Sequence, residues 1–171
     1  MTFMANLDPS TGYSMELRLY RNVTNVPELR QKLMKGELKC AVIKPSLIAD
    51  PFQIVVAANK AVLAEKTTTK SLSTEVLFNL SISTNITQSL IKFGIDDKET
   101  DLLVLILKKG NEENNSFKEI DGEECDISEL QKLADLKTIK KNYKISDEEL
   151  KVSSLIDSIV TRISVKEFVS V

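Results

Sequence analysis

A chain of 171 residues, 42% of them hydrophobic, is long enough to bury a substantial core in one compact domain. Its formal net charge of -2 gives no global basic field, and the lack of tryptophan with few other aromatics argues against a stacking platform for single strands, so any nucleic-acid contact has to be a local patch. The complete absence of histidine excludes Ser-His-Asp and Cys-His catalysis and most zinc sites, and the two cysteines, Cys40 and Cys125, read as reduced thiols rather than a disulfide framework.

Residues 1–12 are polar, contain Pro9 and Gly12, lack the apolar stretch of a signal peptide, and read as a loose N-terminal end. A single domain is expected over 13–171. From Ser14 to Arg21 the sequence alternates, with Met15, Leu17 and Leu19 on one side and Glu16, Arg18 and Tyr20 on the other, which predicts a half-buried strand. Asn25 then caps a helix that opens on Val26-Pro27-Glu28, turns Leu29, Leu33 and Met34 inward, and stops at Gly36. Lys39 to Ile43 is short and β-branched, a second strand closed by Pro45. In the next segment Asp50 is a cap, Pro51 fits the first helical position and Gln53 sits three residues past the cap. The helix is expected to run to about Lys66 and to bury Phe52, Val55, Val56 and Leu63. Asn59 and Lys60 set an amide beside a cation within it, and Thr67 to Lys70 form a polar linker.

Ser73 and Glu75 suit the first turn of a short helix with Val76, Leu77 and Leu80 on one face, although Val76, Phe78 and Leu80 also fit a strand. Asn85 caps a helix with Ile86, Leu90 and Phe93 inward, and Gly94 reads as a left-handed stop. Asp101 to Leu107 is a continuous apolar run, the pattern of a central strand covered on both faces. Lys108 to Glu124 is a polar surface loop or hairpin. Ser128 caps a helix containing Leu130 and Leu133, and a short helical piece spans Leu136 to Tyr143. Ser146-Asp-Glu-Glu is expected to cap the last helix, whose Val152, Leu155, Ile156, Ile159, Val160 and Ile163 repeat at helical spacing. The sum is an α+β fold: a small antiparallel β-sheet surrounded by several α-helices in a single domain.

No phosphate loop, dinucleotide fingerprint or nucleophile elbow is present. The acidic cluster Asp121 to Asp126 fails the spacing of a calcium loop, and its carboxylates disfavour a thiolate at Cys125. Lys137, Lys140, Lys141 and Lys144 fit a solvated helix face. Asn59, Lys60, Lys66 and Lys70 offer an amide and cations that can hold a phosphate and a base edge of a single-stranded end, with a purely structural role as the competing reading. The C-terminal apolar stripe fits either core or a ridge for a partner.

Three blocks carry a family resemblance: Asp50-Pro-Phe-Gln53 with Ala57-Ala-Asn-Lys-Ala61; Leu72-Ser-Thr-Glu-Val-Leu-Phe-Asn-Leu-Ser81 followed by Asn85-Ile and Ile91-Lys-Phe-Gly-Ile95; and Leu155-Ile-Asp-Ser-Ile-Val-Thr-Arg-Ile163. In order and spacing the chain resembles the PRPK-binding proteins, the kinase-binding accessory subunits of the KEOPS (also EKC) complex. The resemblance implies a non-catalytic protein without metal or cofactor. It implies direct contact with the N-terminal lobe of the complex's small atypical kinase/ATPase, and indirect contact with the other subunits. It places the protein in threonylcarbamoyladenosine modification of tRNA, in cytoplasm and nucleus, with no membrane. Carried onto this chain, the kinase contact falls on Leu155, Ile156, Ile159, Val160 and Ile163, and a receptor for the tRNA 3′ end falls on Asn59, Lys60, Lys66 and Lys70. Two other readings compete: a tRNA-binding module acting without a kinase, and a small enzyme using carboxylates or Lys60 in a cleft.

Overall fold

The computed structural model describes residues 2–169. Met1, assigned above to the N-terminal end, and Ser170 and Val171, assigned to the domain, lie outside the described residues. Among those described, five strands form one antiparallel sheet and seven α-helices surround it, the α+β arrangement expected from the sequence. The strands are β1 (Phe3–Asn6), β2 (Tyr13–Arg21), β3 (Ala41–Ile43), β4 (Leu102–Lys109) and β5 (Glu123–Cys125). Their order is β1-β2-β4-β3. Strand β5 shares the outer edge of β2 with β1: Phe3 to Asn6 pair with Leu17 to Ser14, and Glu123 to Cys125 pair with Arg21 to Leu19.

Strict alternation decides which side each residue serves. Met15, Leu17 and Leu19 of β2, Leu103 and Leu105 of β4, and Ala41 and Ile43 of β3 face one core. Tyr20, Leu102, Val104, Ile106 and Val42 face the other. Because β4 lies between β2 and β3 and is covered on both faces, its apolar run is continuous, as its sequence predicts.

The second, smaller core is closed by α1 (Val26–Met34) through Val26 and Leu29, with Phe117 and Ile120 from the loop after β4. Gly36 ends α1 with φ 73°, and Gly36 N–H and Glu37 N–H return to the carbonyls of Leu33 and Lys32. Met34, expected inside, is 83% exposed: it lies on the last turn, past the edge of the sheet core.

The larger core is covered by α2 (Pro51–Leu63), α3 (Leu72–Leu80), α4 (Ile86–Phe93), α5 (Leu130–Leu133), α6 (Leu136–Tyr143) and α7 (Leu155–Ser164). Asp50 accepts from Phe52 N–H and starts α2 as expected, but the buried face differs from the predicted one. Ile54, Ala57, Ala58 and Ala61 are fully buried; Val55 and Val56 are half-buried, while Phe52 and Leu63 are exposed. Alanines lie where α2 is packed between α3 and α7, because short side chains let helix axes approach closely; the larger residues sit on the flanks.

Four further expectations change. Residues 3–11 are not loose: β1 is an edge strand, Leu7 is buried, and a 3₁₀ turn over Pro9–Thr11 leads into β2. Ser71, not Ser73, caps α3, in a reciprocal capping box with Thr74. Gly94 is extended (φ -75°), not left-handed; it is required because a Cβ there would lie 2.5 Å from the Leu90 carbonyl oxygen, where the chain crosses to bridge Ile43. Ile86, at the start of that helix, is exposed, and Ser89 and Phe93 are the buried positions.

At the C-terminal end Asp126 rather than Ser128 caps the 3₁₀ turn before α5. Ser154, not Ser146, caps α7, so Val152 lies before the helix and is 88% exposed. A hydroxyl three residues before an acid recurs at both places in the sequence, and only packing selects the second.

Candidate functional site

Helix α7 packs along α2 with the two C-terminal ends together. Its predicted contact residues divide into two sets. Ile159 and Ile163 are fully buried and belong to the core, so as surface contacts these two are corrected. Leu155, Ile156 and Val160 are half-buried. Ile156 and Val160 stand four residues apart, hence on one flank of the helix. Leu155 borders a surface groove of about 530 Å³ that also takes in Leu136, Lys137, Lys140 and Leu150. The exposed apolar residues at the two ends of the helix include Val152 before it and Val165, Phe168 and Val169 after it. Arg162 fixes the helix from its other side, with two 2.6 Å bonds to the Glu149 carboxylate and one to the carbonyl of Lys144. That guanidinium holds the Glu149 carboxyl at about 2.

The polar pair on α2 is engaged within the chain. Asn59 Oδ1 accepts from Asp8 N–H at 2.9 Å, which pins the N-terminal turn to the helix. Lys60 Nζ donates to the Ile163 carbonyl oxygen at 2.7 Å and to Glu167 at 2.6 Å. A cation thus satisfies an unpaired carbonyl at the end of α7, where the helix dipole favours positive charge. The two predicted sites therefore meet at Lys60, which supports the helix whose other flank is assigned to a partner, while Asn59 is committed to the N-terminal turn. Lys66 and Lys70 are exposed on the linker after α2. That linker is fastened by Glu75, 4% exposed, whose carboxylate accepts from Thr68 N–H, Thr69 N–H and the Thr69 hydroxyl.

Sequence reading missed two polar clusters. At the start of α2, Gln53 is fully buried; its carbonyl accepts from Ala49 N–H at 2.9 Å, and its amide donates to the Leu47 carbonyl and to the Tyr143 hydroxyl at 2.8 Å. The Tyr143 hydroxyl in turn donates to the Leu80 carbonyl, and burial raises its pKa. At the end of α2, Lys166 is 6% exposed, donates to the Phe78 carbonyl and stands 3.4 Å from the centre of the Phe78 ring. Burial, with Lys60 nearby, lowers its pKa to about 8. The one sequence signal for the first cluster was Gln53 at its capping position; its partner lies 90 residues away.

Neither cysteine is set up as a nucleophile. Burial raises Cys40 to about 12, and burial together with Glu129 and Glu123 raises Cys125. Among the described residues no group of three or more His, Cys, Asp or Glu side chains is placed to hold a metal ion. No described helix is long and apolar enough to cross a membrane.

Comparison with known proteins identifies relatives along most of the chain. The family described as "Kinase binding protein CGI-121" matches residues 20–167. The chain is 37% identical over 161 residues to the EKC/KEOPS complex subunit TPRKB of Danio rerio, covering 91% of this chain and 92% of that protein. It is 31% identical over 168 residues to the EKC/KEOPS complex subunit cgi121 of Aspergillus fumigatus, covering 86% and 89%. It is 34% identical over 135 residues to the CGI121 subunit of Kluyveromyces lactis, covering 75% and 85%. With strands β3, β4 and β5 and all seven helices inside the matched span, the chain belongs to the CGI-121 family of kinase-binding proteins.

Proposed function

We propose that this chain is a non-catalytic accessory subunit of a KEOPS/EKC complex. It binds the small atypical kinase/ATPase of that complex and supports threonylcarbamoyladenosine modification of tRNA, in cytoplasm and nucleus. The family match over residues 20–167 carries this reading. The half-buried flank of Ile156 and Val160 supports it. These residues keep apolar surface in water on a helix already fixed by Ile159, Ile163 and Arg162, the form of a preorganised partner ridge. Any influence on the kinase's activity requires different affinities for two kinase conformations.

The tRNA part of the proposal places the acceptor end near the end of α2. Lys66 and Lys70 are free to meet phosphates, and Lys60 adds a third cation when it exchanges its internal partner. Asn59 contributes through its amide only by giving up Asp8.

Purified protein and kinase test the first part. Ile156→Glu places a charge on the flank without reaching the core; its expected thermal midpoint is close to wild type and its kinase affinity at least about tenfold weaker. Folded Ile156→Glu that binds the kinase as wild type does would falsify the assigned ridge. Capture of tRNA with no kinase binding by the wild type would favour a stand-alone tRNA-binding module.

A further inference from the structure

Residues 165–169 continue past α7 through a 3₁₀ turn over Lys166–Phe168 and lie across the end of α2 and the last turn of α3. Little apolar burial holds this segment: Phe168 is 82% exposed and Val169 52% exposed. Its anchors are polar. Lys166 reaches the Phe78 carbonyl and ring, with Lys60 of α2, Glu75 of α3 and Glu167 of its own turn as its charged neighbours. Glu167, itself exposed, reaches Lys60.

We propose that this segment is an autoinhibitory strap, in which the Glu167 carboxylate occupies on Lys60 the place of a phosphate from a single-stranded nucleic-acid end. The proposal rests on the RNA-facing reading given above. The geometry is that of an internal competitor: an anion 2.6 Å from a lysine nitrogen, on a short segment with weak apolar attachment. The Lys60 side chain is 20% exposed while the strap lies on it. Lys166, within the strap, lies beside Lys60 of α2, and the repulsion between these two cations offsets part of the Lys60–Glu167 attraction that holds the segment in place. Once the strap is released, Lys60 joins the exposed Lys66 and Lys70, so one basic surface gains a freed cation and loses a negative group. An external ligand then binds with an affinity reduced by the fraction of chains in which the strap is shut.

The test uses the full-length chain and a fluorescently labelled tRNA transcript, read by anisotropy at low and moderate salt. Glu167→Gln keeps the size of the side chain and removes its charge. It is expected to tighten tRNA binding about two- to fivefold, the scale of one exposed ion pair. Glu37→Gln, an equal change of charge at an exposed position after α1, on the other face of the sheet, is expected to leave affinity unchanged. In a Lys60→Ala background the gain from Glu167→Gln is expected to vanish. Equal affinities for wild type, Glu167→Gln and Glu37→Gln, with binding still salt-dependent, would overturn the strap and leave the RNA reading standing. Absence of tRNA binding by every variant would overturn the RNA reading and the strap with it.

Discussion

The two ends of α2 are held by opposite kinds of chemistry. At the first, Gln53, Tyr143 and the carbonyls of Leu47 and Leu80 form a neutral, fully buried chain of hydrogen bonds. At the second, Lys60, Glu167 and Lys166 form a charged cluster with one exposed member and one desolvated cation. Neutral buried bonds are insensitive to salt and costly to break, because each lost partner strands a polar group away from water. Charged bonds at the surface are screened, compete with external ions and respond to pH. One end therefore fixes α2, α3 and α6 to one another permanently, and the other is suited to exchange.

The sharpest way to break that contrast is Gln53→Ala. It strands Ala49 N–H and the Leu47 carbonyl, removes a Tyr143 partner and opens a cavity; urea unfolding is expected to show a loss of roughly 3 kcal/mol or more, nearly the same at low and high salt. A strong salt dependence would show that the cluster is not dry. Tyr143→Phe keeps the ring packed against Phe93 and removes only the hydroxyl, so the expected loss is about 1 to 2 kcal/mol.

At the other end the expected effects are smaller and depend on conditions. The folded-state pKa of Lys166 is about 8 against an ordinary 10.5, so between those values the unfolded chain holds more protons than the folded one. Stability from this group therefore rises as pH climbs from about 8 to 10.5, opposite in sign to a lysine stabilised by an ion pair. Lys166→Met is expected to abolish that rise, as measured by urea midpoints below the folded value and near the unfolded one. Glu167→Gln is expected to cost well under about 1 kcal/mol, and high salt is expected to erase the difference. A larger, salt-resistant loss would make the second end as permanent as the first and leave no room for a strap.

Legibility in the sequence followed the range of the interactions. The alternation of β2, the apolar run of β4, the Asp50 cap and the Gly36 stop were all readable because each rests on neighbours within a few residues. The start of α7 was misread because Ser146 and Ser154 offer equivalent local signals, and the tertiary fold spends residues 149–151 on a 3₁₀ turn that brings Glu149 to Arg162. The predicted stripe holds from Leu155 to Ile163 and loses Val152, which lies before the helix. Its division into core and surface was not readable, since Ile156 and Ile159 are the same residue type three positions apart. Asn59 and Lys60 were singled out as unusual polar residues on an apolar helix; their partners, Asp8, Ile163 and Glu167, lie 51 to 107 residues away.

The sequence by itself determined the fold class, the covered central strand, the lack of histidine chemistry and the resemblance that the family match bears out, because composition and short-range periodicity suffice for each. Only the tertiary structure decided which α7 residues face water, that Gly94 answers to a crowded carbonyl rather than a left-handed turn, and that Lys60 already holds a carboxylate. Each of those depends on what a distant segment places against the residue, and side-chain spacing along one chain carries no record of it.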